Sequence, residues 1–268
     1  MKKKNLSYVY LLLLIFAIGI LGFTTVSGVA AAEPNITSDD QSSVMNMKIM
    51  GVSVLKNGDP VSTIVYDGEG GWDKTETTTL FGSDASLKVG ETIDASITIA
   101  NGIDNEDEKI NVYTRVIIYK YWMEDNEKDF SADPAKIHVA LKNISGTVNS
   151  DLGWNMAGND EDAAGTWLLD SQTNEKIILY YDSLLEAGDV SAELMKGLEI
   201  DGSIKNDYKT EYLDDGKTII GYDYLYNGKS IKIEVELDAV QDHSAEKAIK
   251  AAWGRNVTVN DGKLSLND

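Results

Sequence analysis

Asp242, His243 and Ser244 are the three residue types of a serine hydrolase, and the chain carries them side by side. In such enzymes the histidine lies in space between the nucleophile and the acid that orients it. Three consecutive side chains fan out from one turn of backbone and do not reach that arrangement. The triplet therefore indicates a junction between two elements of secondary structure, and we expect no catalytic residue in it.

The residues on either side of the triplet favour a strand that leads into a helix. Alternating apolar residues predict a strand from Ser230 to Val240, and helical spacing predicts a helix from Ala245 to about Trp253. Ser244 is a preferred N-cap residue type, and Gly254 stands where a C′ glycine belongs. The apolar stripe of this helix should close an open end of the fold; it consists of Ala245, Ala248, Ile249, Ala252 and Trp253.

The chain offers little material for a metal site. His138 and His243 are its two histidines, and neither belongs to an H-E-x-x-H motif. Together with carboxylates they could bind zinc in a metal-dependent secreted hydrolase, but the position of His138 within a predicted strand favours a structural role. The acidic clusters at 104–108 and 159–162 lack EF-hand spacing and favour solvated loops over calcium sites. There is no cysteine, which excludes disulfides, thiolate metal sites and cysteine nucleophiles. We expect neither a metal nor a cofactor.

Three tryptophans admit two interpretations. Trp72, Trp154 and Trp167 could line the glycan-binding face of a surface adhesin. In a β-sandwich, tryptophan more often packs in the core, where its N–H finds a partner. Exposure of the three rings on one face would distinguish the two interpretations.

The N-terminus predicts a secretory signal peptide over residues 1–32. Lys2, Lys3 and Lys4 precede an apolar run from Tyr8 to Phe23, and Ala30-Ala31-Ala32 supplies a cleavage pattern. An uncleaved membrane anchor is the alternative, because the run approaches the length of a membrane span. We expect processing by a signal peptidase, export from the cell and no membrane attachment after cleavage.

The charge of the chain limits its partners. It has 24 basic and 44 acidic residues and a formal net charge of −20. Signal cleavage removes three lysines and no acid, which leaves −23. Such a chain repels nucleic acid and anionic membranes, and its charge favours solubility.

Most of the remaining sequence is typical of antiparallel strands. Ile93, Ala95, Ile97 and Ile99 alternate with polar residues, which predicts a half-buried strand. The segment from Ile110 to Trp122 is apolar on both faces and predicts a central strand that pairs with the first as a hairpin.

Further strands are predicted along the chain, with turn residues between them. They run from Val44 to Leu55 with a bulge at Met50-Gly51, from Lys136 to Leu141, from Thr166 to Leu169, from Lys176 to Tyr181, and as a hairpin of Ile219–Tyr226 with Ser230–Val240. The glycine-rich segment Tyr66–Asp84 is predicted to be a loop. We expect a mainly β fold, a jelly-roll-like antiparallel β-sandwich with short helical insertions and a short C-terminal helix. Residues 33–48 should form a flexible N-terminal segment, and residues 49–268 a single domain.

Three blocks of the sequence resemble conserved segments of secreted Gram-positive proteins of the TasA/camelysin type. They are "LKVGETIDASITIANG" with "INVYTRVIIYKYW", then "IILYYDSLLEAGDVSAEL", and finally "VELDAVQDHSAEKAIKAAWG". The last is similar to the pattern V-x-x-D-A-V-Q-x-H-N-A-x-x-A-I-x-x-A-W-G. Its structural signature falls on Asp238, Gln241, His243, Ser244, Trp253 and Gly254, with serine where the pattern has asparagine.

The resemblance implies a jelly-roll protein of the biofilm matrix or cell surface that forms fibres. In such fibres the N-terminal segment of each subunit inserts as a strand into the next subunit. Val44, Met45 and Met47 would then be the assembly residues. The implied partners are further copies of the chain, or other matrix and surface proteins.

Three functions therefore remain open from the sequence. The first is a secreted, non-catalytic structural protein that assembles with itself. The second is a surface adhesin or glycan-binding module, and the third is a metal-dependent secreted hydrolase.

Overall fold

A computed structural model describes residues 50–66, 72–76, 80, 89–102, 110–206, 208–211 and 221–267. These residues all belong to one compact unit, Asn46–Asp268. The predicted signal peptide, the N-terminal segment 33–48 with Val44, Met45 and Met47, and the acidic cluster 104–108 lie outside the described residues.

The described chain is mainly β, as its alternating apolar residues predict, and one α-helix follows the longest edge strand. In chain order the elements are β1 (Met50–Lys56), β2 (Asp59–Tyr66), β3 (Trp72–Glu76), β4 (Thr92–Ala100), β5 (Val112–Glu124), β6 (Glu127–Lys128), β7 (Ile137–Leu141), β8 (Ile144–Ser145), β9 (Trp154–Met156), β10 (Trp167–Gln172), β11 (Lys176–Tyr181), β12 (Met195–Ile200), β13 (Tyr208–Glu211), β14 (Gly221–Tyr224), β15 (Ser230–Gln241), α1 (Ala245–Trp253), β16 (Val257–Asn260) and β17 (Lys263–Leu266). Short 3₁₀ helices span Pro134–Lys136, Ser150–Leu152 and Gly202–Asn206.

Two sheets form a sandwich. Sheet I has seven strands in the order β3-β2-β1-β4-β12-β7-β9. Sheet II has six strands in the order β15-β5-β11-β10-β8, and β6 pairs with the end of β5. Two small hairpins, β13–β14 and β16–β17, form separate two-stranded sheets.

The main core fills the space between the two sheets. Ile97 and Ile99 of β4, in sheet I, are completely buried, as are Val116 and Ile118 of β5, in sheet II. The strand β5 is buried along most of both faces, which confirms its prediction as a central strand. The β-sandwich is therefore the fold of the described chain.

Two predicted hairpins are wrong, although the strands themselves exist. β4 and β5 do not pair, because β4 lies in sheet I and β5 lies in sheet II. The chain turns between the sheets at Asn101, a buried residue whose amide group donates to the carbonyls of Ile110 and Leu185. β14 and β15 do not pair either, since β14 pairs with β13. Alternation shows which face of a strand is buried but not which strand lies beside it.

Two local predictions near the start of the described chain are also corrected. The irregularity in β1 falls between Val54 and Leu55 in its pairing with β2, and not at Met50-Gly51. The segment predicted to be a loop contains β3, which pairs with β2.

The hairpin of β1 and β2 turns at Asn57 and Gly58, whose φ angles are 52° and 91°. Two successive positive φ angles match the twist of the strands, and asparagine followed by glycine tolerates them.

A fully buried lysine links the two sheets. Lys120 lies on β5 in the row that otherwise faces the apolar core, and no part of it is exposed. Its Nζ donates to the carbonyl oxygens of Ile137, at 2.5 Å, and Leu152, at 2.8 Å. It also lies 4.5 Å from the ring centroid of Trp154. Gly153 leaves room for the ammonium group, because a Cβ at that position would overlap Nζ.

Burial lowers the pKa of Lys120 to about 7, although the charge of Asp133 opposes the change. Between this pKa and the ordinary lysine value, the unfolded chain binds a proton that the folded chain has released. The free energy of unfolding should therefore rise as the pH rises from 7 to 9, by up to about 1.4 kcal/mol per pH unit from this group.

Replacement of Lys120 by methionine should remove that part of the pH dependence, since the titrating group is gone. Urea unfolding at pH 7, 8 and 9 measures it. Lys232→Met is the matched control, because the side chain of Lys232 is 50% exposed and its pKa is raised, mainly by its bond to Glu234. An unchanged slope in Lys120→Met would contradict the assignment.

Candidate functional site

The triplet of Asp242, His243 and Ser244 is a structural junction. All three residues are exposed, and their side chains exchange no hydrogen bond with one another. The backbone N–H of Asp242 donates to the carbonyl of Asn111 and so continues the ladder between β15 and β5. The helix α1 follows at Ala245 with the bounds that the sequence predicts.

Ser244 does not cap this helix with its side chain, so that part of the prediction is wrong. Its φ and ψ are 56° and 36°, in the left-handed region, and its hydroxyl makes no capping bond. A capping side chain requires extended backbone instead. Asparagine tolerates the left-handed region better than serine does, and asparagine occupies this position in the pattern that the segment resembles. The C-cap prediction is confirmed, because Gly254 has φ 72° and its N–H donates to the carbonyl of Lys250.

The helix α1 covers the outer face of sheet II and does not close an end of the sandwich. It packs in a second core, with Tyr113 and Tyr180 beneath it. Val112 and Tyr181 adjoin these tyrosines in the chain and belong to the main core. Since neighbouring side chains of a strand point to opposite faces, the second core lies on the outer face; its buried members are Tyr113, Tyr180, Val240, Ala245, Ile249, Val257 and Leu264.

Two signature residues, Asp238 and Trp253, meet through Arg115. The guanidinium donates to Oδ2 of Asp238 from Nε, at 3.0 Å, and from Nη2, at 2.5 Å. It lies 5.2 Å from the ring centroid of Trp253, which also packs edge-on against Tyr180. Burial lowers the pKa of Arg115, but the bond to Asp238 outweighs this effect and the pKa is raised. Trp253 is half-buried, whereas Gln241 and His243 are exposed. Of the signature residues, Asp238 and Trp253 are therefore the ones that hold the helix against the sheet.

The candidate metal ligands are not brought together. His138 lies on β7 of sheet I, with Nε2 3.8 Å from Oδ2 of Asp201. His243 is in the junction that follows β15 of sheet II. Within the ranges that the structure describes, no group of three or more histidine, aspartate and glutamate residues could hold a metal ion.

The second acidic cluster, 159–162, is tied to its neighbours in the fold. Asp160 forms an ion pair of 2.8 Å with Lys142, and its backbone N–H donates to the side chain of Asn143. The side chain of Asn159 bonds to both the N–H and the carbonyl of Ile144. These contacts give the loop a structural role.

Two of the three tryptophans belong to the core. Trp154 and Trp167 are completely buried, and their indole N–H groups donate to the carbonyls of Thr173 and Ala192. They cannot line an exposed face. The side chain of Trp72 lies outside the described residues.

The longest edge strand among the described residues is β15. This strand has twelve residues and forms one end of sheet II. It pairs with β5 from Ser230 to Gln241 without a register shift. Among the described strands, none pairs with its other side. Proline, bulges, short length and charged side chains protect such edges; β15 has no proline, no bulge against β5 and twelve residues, but it carries Lys232, Glu234, Glu236 and Asp238.

The direction of each backbone group on β15 follows from the ladder. Asp242 lies opposite Asn111 and bonds to it, so in an antiparallel pair every second residue before Asp242 also bonds to β5. The residues between them point their N–H and carbonyl groups toward the outer edge; they are Ile231, Ile233, Val235, Leu237, Ala239 and Gln241. The bond from the N–H of Lys120 to Glu175 on the other side of β5 agrees with this alternation.

Sheet I extends beyond this edge. β15 contacts β1 across the sandwich, and β5 reaches β7 through the bond of Lys120 to Ile137. The strands of sheet II from β15 to β5 thus follow the direction from β1 to β7 in sheet I. β2 and β3, on the other side of β1, therefore lie beyond β15. Ile64 of β2 is only half-buried against the core.

The charged side chains of β15 lie on the outer face of sheet II, where each carboxylate forms an ion pair or accepts a hydrogen bond. Asp238 pairs with Arg115, and Glu234 pairs with Lys232 at 2.6 Å. Glu236 accepts a bond of 3.3 Å from the hydroxyl of Tyr119, and no described cation forms an ion pair with it. These bonds hold the carboxylates on the face of the sheet, while Ile233, Leu237 and Ala239, whose backbone groups point to the outer edge, are buried.

Comparison of the chain with protein-family models, curated proteins and solved structures found no match. In the part of the chain that the structure describes, no helix is both long and apolar enough to cross a membrane.

The conformation of Ser244 gives a test of the junction. Ser244→Gly and Ser244→Asn should each raise the free energy of unfolding by about 0.5–1 kcal/mol, because both residues tolerate a positive φ. Ser265→Gly, on β17, is the control and should lower it by a similar amount, since glycine weakens a strand. Urea unfolding measures the three values. If Ser244→Gly is less stable than the parent chain, the left-handed conformation is not the one in solution.

Proposed function

We propose that the chain is a secreted, non-catalytic structural protein of the extracellular matrix or cell surface, and that it assembles with further copies of itself. The N-terminal segment 33–48 of one copy would add as a strand to the sandwich of the next. The single observation that supports this proposal is the outer edge of β15, twelve residues long and without a described partner.

The energetic reason for such assembly is the satisfaction of backbone groups. An added strand supplies main-chain hydrogen bonds along the edge, and its alternate side chains enter the apolar space beside it. Here that space lies over β2, where Ile64 is half-buried. An edge of this length that stays unpaired is a site of aggregation, so a defined partner strand also protects the chain from less specific contacts.

The sequence of the N-terminal segment suits this role. Pro34 and polar residues precede Val44, Met45 and Met47, which gives a flexible leader followed by apolar residues at strand spacing. Cleavage after the predicted signal peptide would create the free end only on export. The contact joins two different surfaces, so repetition builds an open fibre and not a closed ring.

The resemblance of three segments to TasA/camelysin-type proteins also supports the proposal, because it implies a fibre-forming matrix protein. The burial of Trp154 and Trp167 removes the exposed aromatic row on which a glycan-binding module would depend.

Two versions of the chain test the proposal. Protein that begins at Glu33 should sediment as large particles and show thin filaments in negative stain, because it contains both the strand and the edge. Protein that begins at Gly51 should stay monomeric, because it keeps the edge but lacks the strand. Circular dichroism checks that both are folded.

A third protein controls for the mere presence of the segment. It begins at Glu33 and carries Met45→Asp and Met47→Asp, which keep the length but place charges in the apolar space. It should resemble the shorter protein. Monomers from all three would contradict the proposed function.

A further inference from the structure

Three asparagines of the chain directly precede glycine: Asn57, Asn101 and Asn227. Asparagine is a chemically labile residue, and it deamidates fastest before glycine, because no side chain hinders attack by the next backbone nitrogen. The reaction needs a side-chain amide that can turn toward that nitrogen, and a nitrogen that forms no hydrogen bond. The three sites differ in how far the fold meets these conditions.

Asn101 is held most firmly of the three. It is 4% exposed, and its Nδ2 donates to the carbonyls of Ile110, at 2.8 Å, and Leu185, at 2.9 Å. If the amide turned toward Gly102, both carbonyls would lose this donor, and a buried polar group without a partner is costly. The fold should therefore protect Asn101 from deamidation.

Asn57 is exposed, but its side chain is bound to β4. Its Oδ1 accepts a bond of 3.0 Å from the N–H of Ser96, and its backbone N–H donates to the carbonyl of the same residue at 2.8 Å. Attack on the amide carbon would require the first of these bonds to break. The fold should therefore slow deamidation at Asn57 without preventing it.

Asn227 has no such restraint. Both Asn227 and Gly228 are exposed, in the turn that joins β14 to β15. Backbone bonds close this turn on either side, from the N–H of Asn227 to Tyr224 and from the N–H of Lys229 to Tyr226. In the described part of the chain, the side-chain amide of Asn227 and the N–H of Gly228 form no hydrogen bond. The amide can turn, and the nitrogen that attacks it is accessible.

We propose that Asn227 is a site at which the folded chain modifies itself by deamidation, with water as the co-reactant. The backbone nitrogen of Gly228 loses its proton and attacks Cγ of Asn227. The new C–N bond closes a succinimide ring, and Nδ2 takes up the proton and leaves as ammonia. Water then opens the ring at either carbonyl, which gives aspartate or isoaspartate, and no oxidant or reductant is needed.

The modified residue falls between two contacts that hold this turn on the sandwich. Tyr226 packs against Trp122 with 4.8 Å between the ring centroids, and Lys229 forms an ion pair with Asp129. The new carboxylate adds to a net charge of −20, and isoaspartate lengthens the main chain of the turn by one methylene. The reaction should therefore loosen the turn and lower the melting temperature, whether or not the chain assembles.

The experiment follows all three asparagines in one sample of the protein that begins at Glu33. The folded protein is kept in mildly alkaline buffer, and peptide mass spectrometry measures the carboxylate that replaces each amide over time. Asn227 should react about 5-fold faster than Asn57, whose amide must first give up a hydrogen bond. Asn101 should remain unchanged over the same period.

The same protein in concentrated urea is the control for sequence. There all three asparagines should react at similar rates, because each precedes a glycine and the fold no longer distinguishes them. If Asn227 leads by the same factor in urea, the fold does not set the order and the proposal is wrong. Reaction in the folded protein that is fastest at Asn57 or Asn101 would overturn it as well.

A matched variant tests the effect on the turn. Asn227→Gln keeps an amide, but its longer side chain does not form the succinimide. After the same incubation the parent protein should melt at a lower temperature than fresh protein, whereas Asn227→Gln should keep its melting temperature. An equal loss in both proteins would contradict the assignment of the effect to Asn227.

Discussion

Backbone hydrogen bonding along β15 is the constraint on which the proposed assembly depends. Every strand of a sheet has two rows of N–H and carbonyl groups, and β5 satisfies one row of β15 over twelve residues. The other row has no described partner. Water can solvate those groups of this row that reach the surface, and in the proposed assembly a strand of the right pattern replaces that water.

The rest of the fold holds β15 in position for that role. The main core packs the side chains of Ile233 and Leu237 against sheet I. Beyond its C-terminal end, the second core fixes α1 on the outer face, and Arg115 joins Asp238 to Trp253. Lys120 links the adjacent strand β5 to sheet I through the carbonyl of Ile137, and to the 3₁₀ helix Ser150–Leu152 through the carbonyl of Leu152. These contacts hold the strand in an unbroken register along β5.

Much of this fold follows from local patterns in the sequence. Alternation on β4 and β15, and apolar residues on both faces of β5, predict the strands and their buried sides. The helix from Ala245 to Trp253 and its terminal Gly254 are also predicted, since helical spacing and a C′ glycine are local signals. Pairing is not local, which is why β4 with β5, and β14 with β15, are wrong as hairpins.

The candidate site is harder to predict for the same reason. Whether a strand lies at an edge depends on residues distant in the sequence, although twelve regular residues without proline or glycine give a signal that β15 is long. Lys120 shows a related difficulty, because its burial depends on two carbonyls and on the space left by Gly153. One feature of the sequence indicates the left-handed φ of Ser244: the pattern that this segment resembles has asparagine at the same position.

Amide hydrogen exchange at single-residue resolution, in filaments and in monomers of the protein that begins at Gly51, tests the central claim most directly. In monomers the amides of Ile231 and Val235, the half-buried residues of the outward row, should exchange rapidly, while the alternating amides bonded to β5 are protected. In filaments the first set should become protected as well, because an incoming strand accepts their hydrogen bonds. Equal and rapid exchange of that set in both forms would contradict β15 as the edge on which the chain assembles.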